Sequence, residues 1–345
     1  MELAGYVVAC INELARLSPE LEISVVRYAV NKEAPFQFSI DESISLYERN
    51  EHETKDLIKL VGKIQPNLIF CSGWSDKGYM ATVKHFRKSI PAIVAFDNQW
   101  QNTLKQVVAT LVAPFFLTNN FRYSWVPGEK QHQYAVKLGF DKERIFTGVY
   151  SADYPLFESV YNKTIAAKRT HFPKRFLYVG RYIAHKGIRD MWEAFIQLQE
   201  EQPNDWELWC IGTGELHDSA IQHPKIKHCG FVQPNDMEEY LAQTGVFILP
   251  SHFEPWGVVV HEMAAAGFPI ISSHHVGANE AFVEDGNNGR IYESGSVQEL
   301  KQAMMEMVNC SDEELIEKAE YSNKLAGTIT PKSWSETVMK LLDSN

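Results

Sequence analysis

Ile248-Leu-Pro-Ser-His-Phe-Glu254-Pro-Trp-Gly-Val-Val-Val-His-Glu262-Met-Ala-Ala-Ala-Gly267-Phe-Pro269 is the stretch from which the fold can be read. The apolar run that ends at Pro250 reads as a buried strand. A loop follows, and a helix is expected to start near Pro255, since proline is tolerated in a first turn. Gly267 and Pro269 stop that helix, and Pro269–Ser272 reads as the next strand. Strand, helix, strand is the repeating unit of a parallel sheet wrapped by helices. The helix start is also chemically informative. The amides of Trp256, Gly257 and Val258 fall where a helix leaves its first N–H groups without partners, a ready anion site. Glu254 lies just before it, and Glu262 follows one turn after Val258 on the same face. Two carboxylates beside a phosphate site are poor phosphate ligands but good acceptors for the paired hydroxyls of a sugar. A capping Glu254 and a solvated Glu262 would be the plainer account of an isolated pair.

The same alternation extends in both directions. Upstream, Phe176–Val179, Trp206–Ile211, Ile226–Phe231 and Val246–Pro250 read as strands. Between the first two, Ile188, Met191, Trp192 and Phe195 share one helical face. Further upstream, strands are expected at Ile23–Ala29, Asn67–Ser72, Ala92–Phe96, Tyr123–Val126 and Ile145–Val149. Tyr154–Lys174 has two prolines and no clear period, and reads as a linker. Downstream, Ser296-x-x-Glu299 and Ser311-x-x-Glu314 are capping-box signatures, and a last helix carries Trp334, Val338 and Leu341. The fold class is therefore α/β, with two doubly wound units in tandem. In such sheets ligands collect at the carboxyl ends of strands.

Tyr178-Val-Gly180-Arg181-Tyr-Ile-Ala-His-Lys186-Gly187 follows the first strand of the second series. Arg181 and Lys186 leave that strand end as two cations able to grip a diphosphate; a surface salt-bridge pair is the alternative. Gly212-Thr-Gly214 follows the next strand, but His217 stands where a dinucleotide fingerprint needs its third glycine.

These motifs together resemble family 4 of the retaining glycosyltransferases. The frame Pro-Ser … Glu-Pro-aromatic-Gly … Glu-Met … Gly-x-Pro runs complete from Pro250 to Pro269. Val276-Gly-Ala-Asn-Glu280 … Asp285-Gly-Asn-Asn-Gly289 is similar to a further family segment, with departures at Ala278 and Asn279. The resemblance is strong over about residues 175–345 and only architectural before that. It implies a GT-B fold, two Rossmann-like domains facing across a cleft. Their expected spans are 1–160 for the acceptor and 170–330 for the donor, with 331–345 a helix returning to the first domain. It implies that Glu254 contacts the transferred sugar, that Glu262 holds the ribose hydroxyls, and that Arg181 and Lys186 neutralise the diphosphate. Gly180, Gly212, Val232, Trp256, Gly257 and Val258 complete the donor contacts. No metal and no cofactor are expected. The donor is a nucleotide diphosphate-sugar, with uridine favoured by family frequency alone. The acceptor is a glycan or a lipid-linked sugar, in surface polysaccharide assembly. A sugar epimerase of the same fold and a binding protein without turnover are the alternative readings.

The first half says less. Asp97 follows a strand in Phe96-Asp97-Asn98-Gln99-Trp100 and is a candidate catalytic contact for an acceptor hydroxyl, with Trp100 able to stack on a sugar; capping and packing fit equally. Ser72-Gly73-Trp74-Ser75-Asp76 is a similar loop. Val107–Leu117 is apolar: a buried helix or helix end is expected, with peripheral membrane contact as the other reading. Glu2–Leu17 reads as a helix where the family has a strand first, so the first strand of domain 1 is apparently missing and an upstream start is expected.

Bulk properties bound the rest. A net charge of −11 argues against nucleic acid as a partner. Residues 1–165 carry about 18 acidic and about 18 basic groups, so the second half holds almost all the negative charge. An anionic donor there needs a local cationic site. Five dispersed cysteines suggest neither disulfides nor a metal centre, and no secretory leader is evident. Cytoplasmic placement is expected, with peripheral attachment at the inner face of the membrane as an option.

Overall fold

The computed structural model describes residues 3–29 and 36–343. The chain divides into two compact units, 1–151 with 331–345, and 152–330.

The first unit runs α1 (Gly5–Leu17), β1 (Ser24–Arg27), β2 (Ser45–Glu48), α2 (Thr54–Ile64), β3 (Ile69–Ser72), α3 (Lys77–Phe86), β4 (Ala92–Ala95), α4 (Leu104–Phe116), β5 (Tyr123–Trp125), α5 (Glu129–Lys137) and β6 (Ile145–Phe146). Its strands form two parallel sheets, β1-β2 and β3-β4-β5-β6. Among the described residues no strand joins them. Side chains bridge the gap instead. At the strands' carboxyl ends Arg49 clasps Asp76 with two hydrogen bonds, and Tyr28 donates its hydroxyl to the same carboxylate. Tyr79 donates to the Val26 carbonyl at 3.2 Å. Beneath them Cys10, Ile11 and Leu14 of α1 share an apolar cluster with Ile93 and Ala95 of β4. Glu2, the first residue of the expected opening helix, lies outside the described residues.

The second unit runs α6 (Tyr154–Thr170), β7 (Arg175–Val179), α7 (Ile188–Glu201), β8 (Glu207–Ile211), β9 (Ile226–Gly230), α8 (Glu238–Gln243), β10 (Val246–Leu249), α9 (Val258–Ala265), β11 (Ile270–Ser273), α10 (Asn279–Phe282), β12 (Gly289–Tyr292), α11 (Val297–Asn309) and α12 (Asp312–Ala326). Its parallel sheet has the order β12-β11-β10-β7-β8-β9. Strand order reverses between β7 and β10, which makes that junction the topological switch point. All four residues of β10 are buried, as a strand covered on both faces requires. Ile188, Met191, Trp192, Phe195 and Leu198 turn one face of α7 into the same core, each contributing roughly 1.5–3 kcal/mol of burial. The last helix, α13 (Pro331–Asp343), belongs to the first unit. Its Trp334 lies 5.1 Å from Trp125, stacked, and donates to the Val149 carbonyl.

The structure corrects several expectations. Tyr154–Lys174 is no linker: most of it is α6, capped by Asp153, whose side chain accepts the Leu156 amide. Its period is hidden because the buried face, Phe157, Val160, Thr164 and Lys168, is half polar. Strands β2 and β12 escape the apolar-run criterion. Ser311 forms a full capping box, whereas Glu299 bonds the Glu293 amide rather than closing a box on Ser296. Helix α9 starts at Val258, not near Pro255. Val107–Leu117 is a helix with one face exposed rather than buried.

Candidate active site

Loops leaving the carboxyl ends of β7, β8 and β10 converge at the switch point of the second unit. After β7, the Gly180 amide donates to the Ile211 carbonyl at the end of β8. Gly212 follows β8, its amide on the Gly230 carbonyl, and Val232 follows β9 half-buried. The buried Tyr178 donates its hydroxyl to the Arg181 carbonyl at 2.8 Å and fixes the turn from which Arg181 reaches solvent. Gly187 closes this loop at φ +65, and a Cβ there would stand 2.0 Å from the Pro250 carbonyl oxygen. That contact brings the β7 loop against the β10 loop, so Lys186 meets Glu254. The two form an ion pair, with only 15% and 16% of their side chains exposed. Burial and the neighbouring Lys186 push the His185 pKa below its ordinary value, Glu254 opposes, and Arg181 and His252 add to the depression. One imidazole thus senses both cations and the acid.

The Glu254 loop is held by the segment after β11. The Glu254 amide donates to the His275 carbonyl, Gly277 donates to the Glu254 carbonyl, and Ala278 donates to the Trp256 carbonyl. The segment Val276–Glu280 therefore serves to hold this loop. Trp256 is buried, and Gly257 takes φ +94 as the residue before α9. A Cβ on Gly257 would come 2.9 Å from Cγ of Glu254. Among the described residues, no backbone carbonyl engages the amides of Trp256, Gly257 or Val258. The expected open helix terminus is present, shifted so that Gly257 is its cap.

Glu262 sits one turn into α9, and its environment was not visible in the sequence. Burial pushes its pKa up to about 7, and the charge of Asp153 adds to the rise. Asp153, 109 positions away, is itself raised by burial, against the opposing Leu156 amide. The flanking His261 is fully buried, accepting the Ala152 amide and facing the Ala326 carbonyl, and it locks α9 to the ends of α6 and α12.

The second unit thus brings together Gly180, Arg181, Lys186, Gly212, Glu254, Trp256, Gly257, Val258 and Glu262. Asp97 stands on the first unit, after β4. Its carbonyl accepts Gln131, and its carboxylate contributes to the raised pKa of Tyr150 after burial and Tyr6. Trp100 packs on Tyr134 beneath Lys137, so the packing account of Trp100 holds. Asp76 caps α3 and is taken up by Arg49 and Tyr28. Among the described residues no cluster of three metal-ligating side chains occurs, and all five cysteines are free.

Known proteins share the architecture of this chain. Over its whole length the chain superposes on Anabaena Alr3699/HepE, solved with UDP and glucose, at a TM-score of 0.74, with 15% identity and 98% of that chain covered. Sucrose-phosphate synthase from Thermosynechococcus elongatus matches at 0.75 and 14% identity, over 97% of this chain and 92% of that one. The fold is GT-B. A glycogen synthase of Mycobacterium tuberculosis is 36% identical over 118 residues, 32% of this chain and 28% of the relative. The alpha-monoglucosyldiacylglycerol synthase of Acholeplasma laidlawii is 28% identical over 246 residues, 66% of this chain and 60% of the relative. The chain thus spans less than two thirds of either relative. Residues 173–310, most of the second unit and all of the converging loops, match the family described as Glycosyl transferases group 1.

Proposed function

We propose that the protein is a retaining glycosyltransferase that takes a nucleotide diphosphate-sugar as donor, a UDP-sugar by preference, and serves surface polysaccharide or glycolipid assembly. The observation that carries this reading is the open N-terminus of α9 beside the Glu254 loop that Lys186 meets, with Arg181 exposed on the same β7 loop as Lys186. It offers free amides and two cations to a diphosphate in the otherwise acidic half of the chain. The relatives named as a glycogen synthase and an alpha-monoglucosyldiacylglycerol synthase support sugar transfer. In the reaction the bond from the anomeric carbon to the diphosphate breaks, and the bond to the acceptor oxygen forms on the same face. The acceptor proton passes to the departing phosphate oxygen. Arg181 and Lys186 stabilise the charge that develops there, Glu254 holds hydroxyls of the moving sugar, and Glu262 those of the ribose. Asp97 is the first unit's contact for the acceptor hydroxyl. With a lipid-linked acceptor, transfer takes place at a membrane surface that the first unit meets.

A thermal-shift screen tests the donor assignment. A nucleoside diphosphate at 100 times its Kd stabilises the native state by about 2.7 kcal/mol, a rise of several degrees in Tm. The nucleoside alone should give little. No shift with any nucleoside diphosphate would overturn the assignment.

A further inference from the structure

Helix α4 presents one entire face of apolar side chains to solvent. Leu104, Val108, Leu111 and Phe115 recur at helical spacing and are 86%, 58%, 69% and 80% exposed. Val107 and Val112 widen the stripe. The opposite face is also apolar: Ala113 and Leu117 are buried in the cluster that packs α3, α4 and α5 on one side of the β3–β6 sheet. A helix that is apolar all round but covered on only one side requires a second cover. Single exposed apolar residues need no explanation, but a contiguous stripe does.

Charge indicates what the cover is. The chain has 44 acidic and 33 basic residues, yet no Asp or Glu occurs between Asn98 and Gly128. Lys105 and Arg122, both exposed, are the charged side chains of that stretch. Helix α3, which packs into the same cluster, carries exposed Lys84 in its last turn, and exposed Arg87 and Lys88 follow it. An apolar stripe on a segment that carries cations and no acids of its own complements a surface that is oily within and anionic at its edge. A protein partner would be expected to meet a broader patch, roughly 800 Å² a side with a mixed polar rim. At 13 residues α4 is about 20 Å long, too short to cross a bilayer core of ~30 Å, and among the described residues no helix is long and apolar enough to do so. We propose that α4 lies flat in an anionic lipid surface, with Leu104, Leu111 and Phe115 entering the acyl boundary and Lys105 held at the headgroups. This names the surface for the membrane contact in the functional reading above.

Vesicle sedimentation with the full chain tests it without donor or acceptor, so failure here leaves sugar transfer standing. Wild-type protein should pellet with vesicles of phosphatidylglycerol and phosphatidylcholine, and less with phosphatidylcholine alone or at high salt. The double variant Leu111→Ser, Phe115→Ser alters uncovered positions, so its Tm should match the wild type while partitioning falls at least about 10-fold. Three results would overturn the proposal: no pelleting of the wild type, equal pelleting of the variant, or a wild-type dimer in light scattering that the variant abolishes without any lipid binding.

Discussion

Replacing Glu262 by glutamine should make the ligand-free protein more stable, in a way that depends on pH. In the folded chain burial, with Asp153 adding, raises this carboxyl from 4.5 to about 7. An acid with a raised folded pKa binds its proton more tightly in the native state. Its contribution is fully present below about pH 4.5 and is lost as pH rises through about 7. A shift of roughly 2.5 units corresponds to about 3 kcal/mol against the folded state at pH 8. Glutamine has the same shape and no charge, so Glu262→Gln should match wild type near pH 4.5 and exceed it by about 3 kcal/mol at pH 8. For a unit of this size that is a gap of roughly 6–12 °C. Thermal unfolding followed by circular dichroism at both pH values would measure it. Binding should move the other way. Ribose hydroxyls donating to Glu262 favour its ionised form, so the variant should lose roughly 10–100-fold in nucleoside diphosphate affinity at pH 8. Asp153→Asn, which keeps a competent cap for α6, should shift the wild-type window to lower pH. If wild type and Glu262→Gln melt in parallel from pH 4.5 to 8, the carboxyl ionises normally and the reasoning from burial is refuted.

The other expectations concern both units. Arg181→Ala and Lys186→Ala should each reduce kcat/KM by about 10–100-fold, the loss of one charge-assisted phosphate contact. Glu254→Gln should depress kcat while leaving nucleoside diphosphate affinity nearly intact, and wild-type kinetics in all three would return the Lys186–Glu254 pair to a structural role. In the first unit, burial works to raise the pKa of Asp76, but hydrogen bonds from Arg49, Tyr28 and the Tyr79 amide prevail and hold it at about 2. A depressed carboxyl stabilises above its unfolded value and loses that as pH falls toward 2, so Asp76→Asn should cost roughly 2 kcal/mol at pH 7. The difference should narrow below about pH 4, measured by urea unfolding.

The second unit was legible because its chemistry sits in contiguous sequence. A strand end, a loop glycine and a helix start are neighbours in the chain, so Glu254, Gly257 and Val258 could be placed from spacing alone. Lys186 and Arg181 follow one strand end in the same way. What the sequence withheld was contact across the fold. Nothing in Asp153 or Glu262 announces that residues 109 positions apart share a field, and nothing in the two loops announces that Lys186 meets Glu254. On the donor reading proposed above, a bare phosphate that drew Lys186 away would leave Glu254 half-buried and unpaired, whereas a donor carrying both diphosphate and sugar hydroxyls would satisfy both groups.

The first unit was legible only in outline because its informative features are non-local or aperiodic. Asp76 reads equally as a strand-end contact for a ligand and as a cap, and it caps α3; its further partners Tyr28 and Arg49 follow β1 and β2, ends that only the fold brings near. The exposed face of helix α4 escapes the sequence for a different reason. Periodicity identifies a buried face by contrast with a polar one, and a helix apolar on both faces offers no contrast. Its hydrophobicity asks for cover, but sequence alone does not say whether protein supplies that cover on one side or on two. Exposure separates the cases: Ala113 and Leu117 are covered by the sheet, and Leu104, Leu111 and Phe115 are not. In sequence, the same distinction leaves only a secondary trace, the absence of Asp and Glu from Asn98 to Gly128. Burial already keeps acids out of most of residues 120–128, whereas on the lipid reading proposed above the exposed loop and helix of residues 98–119 lack them because they meet an anionic surface.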